Sequence, residues 1–306
     1  MRIAIIDLGT NTFNLLIRET TSDELLYNDK IAVKLGRGGI DKGNIAEDAF
    51  QRGLDAMAKH KTTIEYYQAE KVKALATAAI RDAKNGHEFV SGVKETTGIE
   101  IDVIDGLTEA RFILAGAAAA VELPPNPYLV MDIGGGSTEF IIARGKKALW
   151  MQSYPLGVSR LLEHFRPSDP IEEQEVERID THLDHVLEEL RQAWEKYKPK
   201  IMIGSSGSFD TLSDMCRLRS DPDSPPDDRP SSYFDMSVYR MIEREVIRAT
   251  FEERLAMKGM IPMRADMMVL SCLLIRWVIQ NCGIEQMWGS KYALKEGVYF
   301  HLKEEA

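Results

Sequence analysis

Residues Met131–Phe140 read MDIGGGSTEF. An aspartate interrupts a short apolar run, three glycines follow, and Ser, Thr and a second acid come before the chain turns apolar again. The same order opens the chain, where Ile3–Phe13 reads IAIIDLGTNTF. Each segment is an apolar strand, an aspartate, a glycine turn with hydroxyl side chains and a new apolar run, which is the pattern of a hairpin. A plain hairpin needs fewer glycines. Consecutive glycines cost conformational entropy and bare several backbone N–H groups, which can then approach an oxyanion closely.

Working outward, apolar runs at 2–6, 12–18 and 25–35 are separated by turn signals and predict a three-stranded meander. Helical spacing follows over 47–67 and 86–97, with short strands at 72–76 and 99–104. A helix over 107–123 stops before Pro124 and Pro125, which cannot continue it. After Pro127 the order restarts, with strands expected at 128–133, 139–144 and 148–154, then a long charged helix over 172–197 and a strand at 200–203. A glycine turn reading GSSGS spans Gly204–Ser208. A proline-rich polar loop over 219–232 precedes helices over 236–250, 265–282 and 293–304, with a strand at 286–289. The repeat predicts an internal duplication: domains 1–124 and 125–306 facing each other across a cleft, with the terminal helix free to pack back on the first. Duplicated α/β halves of this grammar resemble the ribonuclease H-like fold of the actin, sugar kinase and heat-shock ATPase superfamily.

Both hairpins carry the same chemistry. In the first, Gly9, Thr10, Asn11 and Thr12 supply donors and Asp7 a hard oxygen ligand; in the second, Gly134, Gly135, Gly136, Ser137 and Thr138 supply donors and Asp132 and Glu139 the carboxylates. Opposed carboxylates around a polyphosphate repel it unless a divalent cation lies between them, so the pattern predicts Mg²⁺. The third turn adds Gly207 and Ser208 at the positive end of a helix.

Composition excludes several alternatives. With 38 Lys and Arg against 48 Asp and Glu, a formal charge of −10, the surface field repels DNA and RNA, and any anionic ligand must be captured locally. The three cysteines are odd in number and lack CxxC spacing, so a disulfide framework and a zinc site are disfavoured and a cytoplasmic protein is expected. No apolar stretch is long enough to span a bilayer, and a homodimer stays open. GRGGID at Gly36–Asp41 fails the dinucleotide fingerprint, and neither a P-loop nor a GxSxG elbow exists. His182 and His185 are expected to be ordinary helix residues.

The run IAIIDLGTNTF, ATAAIRDA at Ala76–Ala83, TEARF at Thr108–Phe112, MDIGGGSTEF, GSSGSFD at Gly204–Asp210 and ALKEGV at Ala293–Val298 resembles the exopolyphosphatase / guanosine pentaphosphate phosphohydrolase family. The resemblance spans the whole chain. It implies a Mg²⁺-dependent cleft that hydrolyses a terminal phosphoanhydride, with Glu109 as catalytic base, Arg81 as phosphate ligand, and Asp132 and Glu139 flanking the glycine loop. Thr108 stands where the family has a first Glu, Lys295 stands where it often has Arg, and the helical domain of longer members is expected to be missing. Glu109 read alone is a carboxylate in the first turn of a helix, a placement the dipole favours for structural reasons. The expected function is hydrolysis of the end of inorganic polyphosphate or guanosine pentaphosphate. Rivals are an ATP-dependent kinase of the same superfamily and a non-catalytic sensor of such anions.

Overall fold

The computed structural model describes residues 1–304. Its strands are β1 (Arg2–Leu8), β2 (Thr12–Glu19), β3 (Leu25–Ala32), β4 (Lys71–Ala76), β5 (Ile101–Val103), β6 (Tyr128–Ile133), β7 (Thr138–Arg144), β8 (Lys147–Tyr154), β9 (Ile201–Ser205), β10 (Ser231–Phe234) and β11 (Gln286–Ser290). Its helices are α1 (Glu47–Tyr66), α2 (Ala78–Arg81), α3 (Gly86–Thr97), α4 (Gly106–Ala120), α5 (Val158–Phe165), α6 (Glu173–Val186), α7 (Glu188–Tyr197), α8 (Ser206–Ser220), α9 (Met236–Arg248), α10 (Phe251–Ala256), α11 (Met268–Asn281) and α12 (Leu294–Glu304).

The first sheet has the order β3-β2-β1-β4-β5, with β1, β2 and β3 antiparallel and β4 and β5 parallel to β1. In the second, β8-β7-β6-β9-β11 repeats that arrangement strand for strand, and β10 adds an antiparallel edge. The chain is therefore two mixed-sheet α/β domains of the duplicated ribonuclease H-like kind. Parallel central strands are covered on both faces, which is why β6 is buried throughout and reads as an apolar run.

Three cores stack in sequence. One face of the first sheet packs on α1 and α3 through Met57, Ile64, Phe89 and Val93. One face of the second packs on α6, α8, α9 and α11. Between the sheets lie α4 and α12, where Ala110, Ile113, Val298 and Tyr299 fill the space between Ile3 and Ile5 on one side and Val130 and Ile141 on the other. Bare backbone sets this helix crossing. A Cβ on Gly297 would sit 1.8 Å from the Phe112 carbonyl oxygen, and one on Gly116 2.2 Å from that of Ala293. Tyr299 and Lys303 also donate to Asp23 in the turn after β2, tying α12 to the first sheet.

Several elements differ from the sequence reading. The third strand stops at Ala32 because the N–H groups of Val33 and Lys34 both turn to the Asn11 carbonyl, and Lys34 takes φ +48. The strand over 99–104 shortens to β5. The charged helix bends at Leu187 into α6 and α7, although its apolar face of Ile179, Leu183, Leu187 and Leu190 is buried as the spacing predicts. The polar loop is shorter than expected, since α8 runs to Ser220 and β10 begins at Ser231; Arg217 holds it by donating to the carbonyls of Ser224 and Pro225. The short helices α2, α5 and α10 have too few turns to show a period.

Candidate active site

The two hairpin turns are built alike. In each, the N–H of the first glycine closes the turn on a carbonyl three residues on: Gly9 to Thr12 at 3.1 Å and Gly134 to Ser137 at 3.0 Å. A Cβ at either glycine would crowd that same oxygen, at 3.1 and 3.0 Å. The carbonyls beyond the first glycine are then taken from behind. Those of Thr10 and Asn11 accept from Gly36, Val33 and Lys34, and those of Gly134 and Gly135 accept from Val158, Ser159 and Arg160 at the start of α5. Arg160 Nε also donates to the Gly136 carbonyl at 3.0 Å. With their oxygens engaged on one side, the N–H groups of Thr10, Asn11, Gly135 and Gly136 have no partner among the described residues. They are free donors of the kind that bind phosphate.

The turns also touch each other. A Cβ on Gly135 would meet Asn11 Nδ2 at 2.7 Å, and one on Gly136 would meet Thr10 Oγ1 and Ala78 Cβ, each at 2.7 Å. Gly157, which the sequence reading passed over, lies so close beneath that its Cβ would overlap the Gly135 carbonyl carbon at 2.2 Å. Asn11 bridges the halves, accepting from Ser159 Oγ at 2.8 Å and donating to Met267 Sδ at 3.5 Å. Thr12 and Ser137 line the same cleft. Thr138 faces away: wholly buried, it donates its hydroxyl to the Leu156 carbonyl at 2.9 Å.

Four carboxylates surround the turns, Asp132, Glu139 and Glu109 buried and Asp7 half-buried. Asp7 and Asp132 end equivalent strands, each opposite a residue of its own hairpin, Asn14 and Glu139 respectively. Burial pushes Asp7 up to about 6, while Lys295 and Asn14 hold it down. Asp132 accepts from Ser205 Oγ at 2.6 Å and Ser206 Oγ at 2.7 Å, and burial raises it against those bonds. Glu139 lies behind the loop, its Oε1 accepting from Ser153 Oγ at 2.6 Å; burial and the charge of Asp132 push it up to about 7. Glu109 sits in the first turn of α4. Asp105 caps that helix through the N–H groups of Leu107 and Thr108, and also takes the Thr108 hydroxyl, so the residue in place of the family's first Glu belongs to the cap. Arg81 Nη1 spans from the Ile104 carbonyl to Glu109 Oε2, at 3.2 and 2.9 Å. Burial and Glu139 push the Glu109 carboxyl well above its usual range, with Arg81 opposing them.

The third turn lines the cleft with Gly207 and Ser208, as expected, and adds two serines that the sequence reading did not single out. Ser205 and Ser206 hold Asp132, Ser206 at a left-handed φ of +66, a strained value for a residue with a side chain. Ser208 is buried and pairs with Ser271 Oγ at 2.8 Å. Gly207 is bare because the Arg264 guanidinium lies over it, 1.7 Å from where a Cβ would stand. The serines were present in the quoted GSSGS, but only the parallel pairing of β6 with β9, which sets Asp132 beside Ser205, shows which ones count. His182 lies beside His164 and Phe165, and among the described residues no three His, Cys, Asp or Glu side chains form a metal cage.

A cleft of about 600 Å³ lies between the domains, lined by both turns, Asp7, Asp132, Glu109, Arg264 and Lys295. A profile of the Ppx/GppA phosphatase family matches residues 17–306. The chain belongs to this family. It is 28% identical over 304 residues to the guanosine-5'-triphosphate,3'-diphosphate pyrophosphatase of Photobacterium profundum, covering 98% of this chain and 59% of that protein, so it spans about three fifths of that relative's length. An exopolyphosphatase structure from Cytophaga hutchinsonii superposes with a TM-score of 0.96 at 36% identity, over 100% of this chain and 99% of that one. The Aquifex aeolicus member of the Ppx/GppA family superposes at 0.79 with 26% identity, over the same shares. Among the described residues no helix is long and apolar enough to cross a membrane.

Proposed function

We propose that this chain hydrolyses the terminal phosphoanhydride of a linear phosphate chain, either inorganic polyphosphate or guanosine pentaphosphate. The observation that carries the reading is the convergence of four unpartnered backbone N–H groups, from two equivalent turns, on the cleft that Glu109 lines. These donors suit the oxygens of a transferring phosphoryl group, where charge must be stabilised without reorganisation. Glu109 takes the proton of the attacking water as its oxygen bonds to the terminal phosphorus. The bridging P–O bond breaks, and orthophosphate and the shortened chain leave. A carboxyl raised by burial is a stronger base than an exposed one. Arg81 orients Glu109 through their 2.9 Å contact, and its role as a phosphate ligand rests on the family resemblance.

The carboxylates fit a divalent cation. Asp7 and Asp132 both line the cleft, both are raised by burial, and the charge of Asp132 acts on Asp7. Mg²⁺ takes only one or two protein carboxylates, its other positions going to water and substrate phosphate, so a closed cage is not required. When bound, the ion would neutralise charge on the phosphate oxygens.

Glu109→Gln tests the reading, since it keeps the shape and an oxygen for Arg81 while removing basicity. Phosphate release from polyphosphate and guanosine pentaphosphate, with no acceptor added, should show kcat lowered on the order of 10²- to 10⁴-fold with substrate binding retained. Near-normal kcat would return Glu109 to a helix-terminal structural role. Turnover only with an acceptor alcohol would instead indicate a kinase.

A further inference from the structure

Beyond the reacting centre the cleft contains a second group of charges that the mechanism leaves unused. Lys295 stands in the first turn of α12 and lines the cleft with its side chain 18% exposed. Its ammonium is fixed by Glu296 Oε1 at 2.9 Å, and Glu296 is itself buried and held by the Ala293 N–H at 2.9 Å. Burial works against the charge, but Glu296, Asp7 and Asp210 keep Lys295 above the ordinary lysine range. The ammonium thus lies within the fields of Asp7 at the reacting centre and of Asp210 on α8. One of its three donors meets Glu296, which leaves two for a ligand.

Lys30 reaches the same region from the other domain. It sits on the edge strand β3, lines the cleft, and feels the charges of Arg264, Asp210 and Lys295. The Lys30 side chain makes no hydrogen bond or ion pair among the described residues. Arg264, Lys30 and Lys295 all act on Asp210, in a stretch of cleft wall that also carries Asp29 and Asp214, so an anion is held here by these side chains individually and not by a net positive field. The glycine crossing fixes where this happens, because Gly116 and Gly297 lock α12 against α4, the helix that carries Glu109.

We infer that Lys295 and Lys30 form a second phosphate subsite, one from each domain, which holds the phosphates next to the transferred one. The inference rests on the proposed hydrolysis for its substrate, but its claim concerns binding. The non-transferred phosphates are common to inorganic chains and to guanosine pentaphosphate, so Lys295 recognises both through the same chemistry.

The test measures tripolyphosphate binding by calorimetry with Mg²⁺, and hydrolysis of tripolyphosphate and guanosine pentaphosphate, for wild type, Lys295→Met, Lys295→Arg and Lys30→Met. A charge-assisted contact to phosphate predicts that Lys295→Met weakens binding on the order of 10- to 100-fold and lowers kcat/KM with most of the change in KM. Lys295→Arg should recover much of the loss, which a packing defect would not. Lys30→Met, on an exposed edge strand where folding is not at risk, should weaken binding in the same direction. Unchanged tripolyphosphate affinity in both methionine variants overturns the inference, as does a loss confined to kcat. An effect on guanosine pentaphosphate alone also overturns it, since it would place Lys295 against the nucleoside. If wild type binds tripolyphosphate without hydrolysing either substrate, the proposed function fails while a weakened Lys295→Met still supports the subsite.

Discussion

Gly136→Ala separates the geometry of the two turns from their donors, because alanine keeps the backbone N–H. The added Cβ would stand 2.7 Å from Thr10 Oγ1 and 2.7 Å from Ala78 Cβ, and 3.4 Å from Ile40 Cδ1. Carbon contacts settle at about 3.5 Å or more, so the second turn must retreat from the first by about 0.8 Å. Neither neighbour is a flexible chain end. Overpacking of this kind costs about 1–3 kcal/mol, and a misplacement near 1 Å in an active site lowers turnover by roughly 10²-fold. Gly136→Ala should therefore fold, melt several degrees lower, and lose on the order of 10- to 100-fold in kcat for phosphate release. Gly145→Ala is the control. It sits in the β7–β8 turn at φ +55 with nothing within 4 Å of a new Cβ, so it should cost about 1–2 kcal/mol through backbone strain and leave kcat alone. If Gly136→Ala matched wild type in kcat while its melting temperature fell like that of Gly145→Ala, the contact between the turns would have no part in catalysis.

Two further outcomes follow from the buried carboxylates. Asp132→Asn keeps an oxygen for Ser205 and Ser206 but removes the charge, and should weaken the Mg²⁺ requirement and substrate affinity together, by roughly tenfold or more in a metal titration of activity; an unaltered metal titration would remove Asp132 from the cation site. Stability should depend on pH with a definite sign. Asp7 and Glu139 have folded values of about 6 and about 7, both above their unfolded ones, so their stabilising contribution is full below about pH 4 and is lost as pH rises towards 7. Shifts of this size correspond to about 3 kcal/mol per group, so metal-free protein should melt lower near pH 8 than near pH 5, and Mg²⁺ should restore much of the loss at pH 8. A melting temperature that rises from pH 5 to pH 8 without metal would contradict the burial of these charges.

Much of the fold was legible because its signals are local. A hairpin writes its strand, turn and return strand in about a dozen consecutive residues, so the duplication could be read from two short stretches. The alternation of a strand could even have excluded Thr138 as a side-chain donor, since Thr138 and Glu139 are adjacent in β7 and must face opposite ways. The short helices α2 and α5 were not legible, yet α5 supplies the N–H groups that turn the glycine loop's carbonyls away from the cleft.

What only the tertiary structure decided is which distant residues meet. The sequence by itself determined that two Asp–Gly turns exist, that each carries hydroxyls, and that Glu109 begins a helix. It held no sign that Gly135 lies against Asn11, that Gly157 lies against Gly135, or that Ser205 and Ser206, not Ser208, hold Asp132. Nor did it show that Lys295, near the end of the chain, lines the same cleft as Asp7 near its beginning. Strand periodicity fixes the face on which a side chain lies through bonds between near neighbours. The meeting of separate elements depends on how whole surfaces pack, and here on two glycines that let α12 lie against α4 between the sheets. Those contacts join residues far apart in sequence, and no local pattern encodes them.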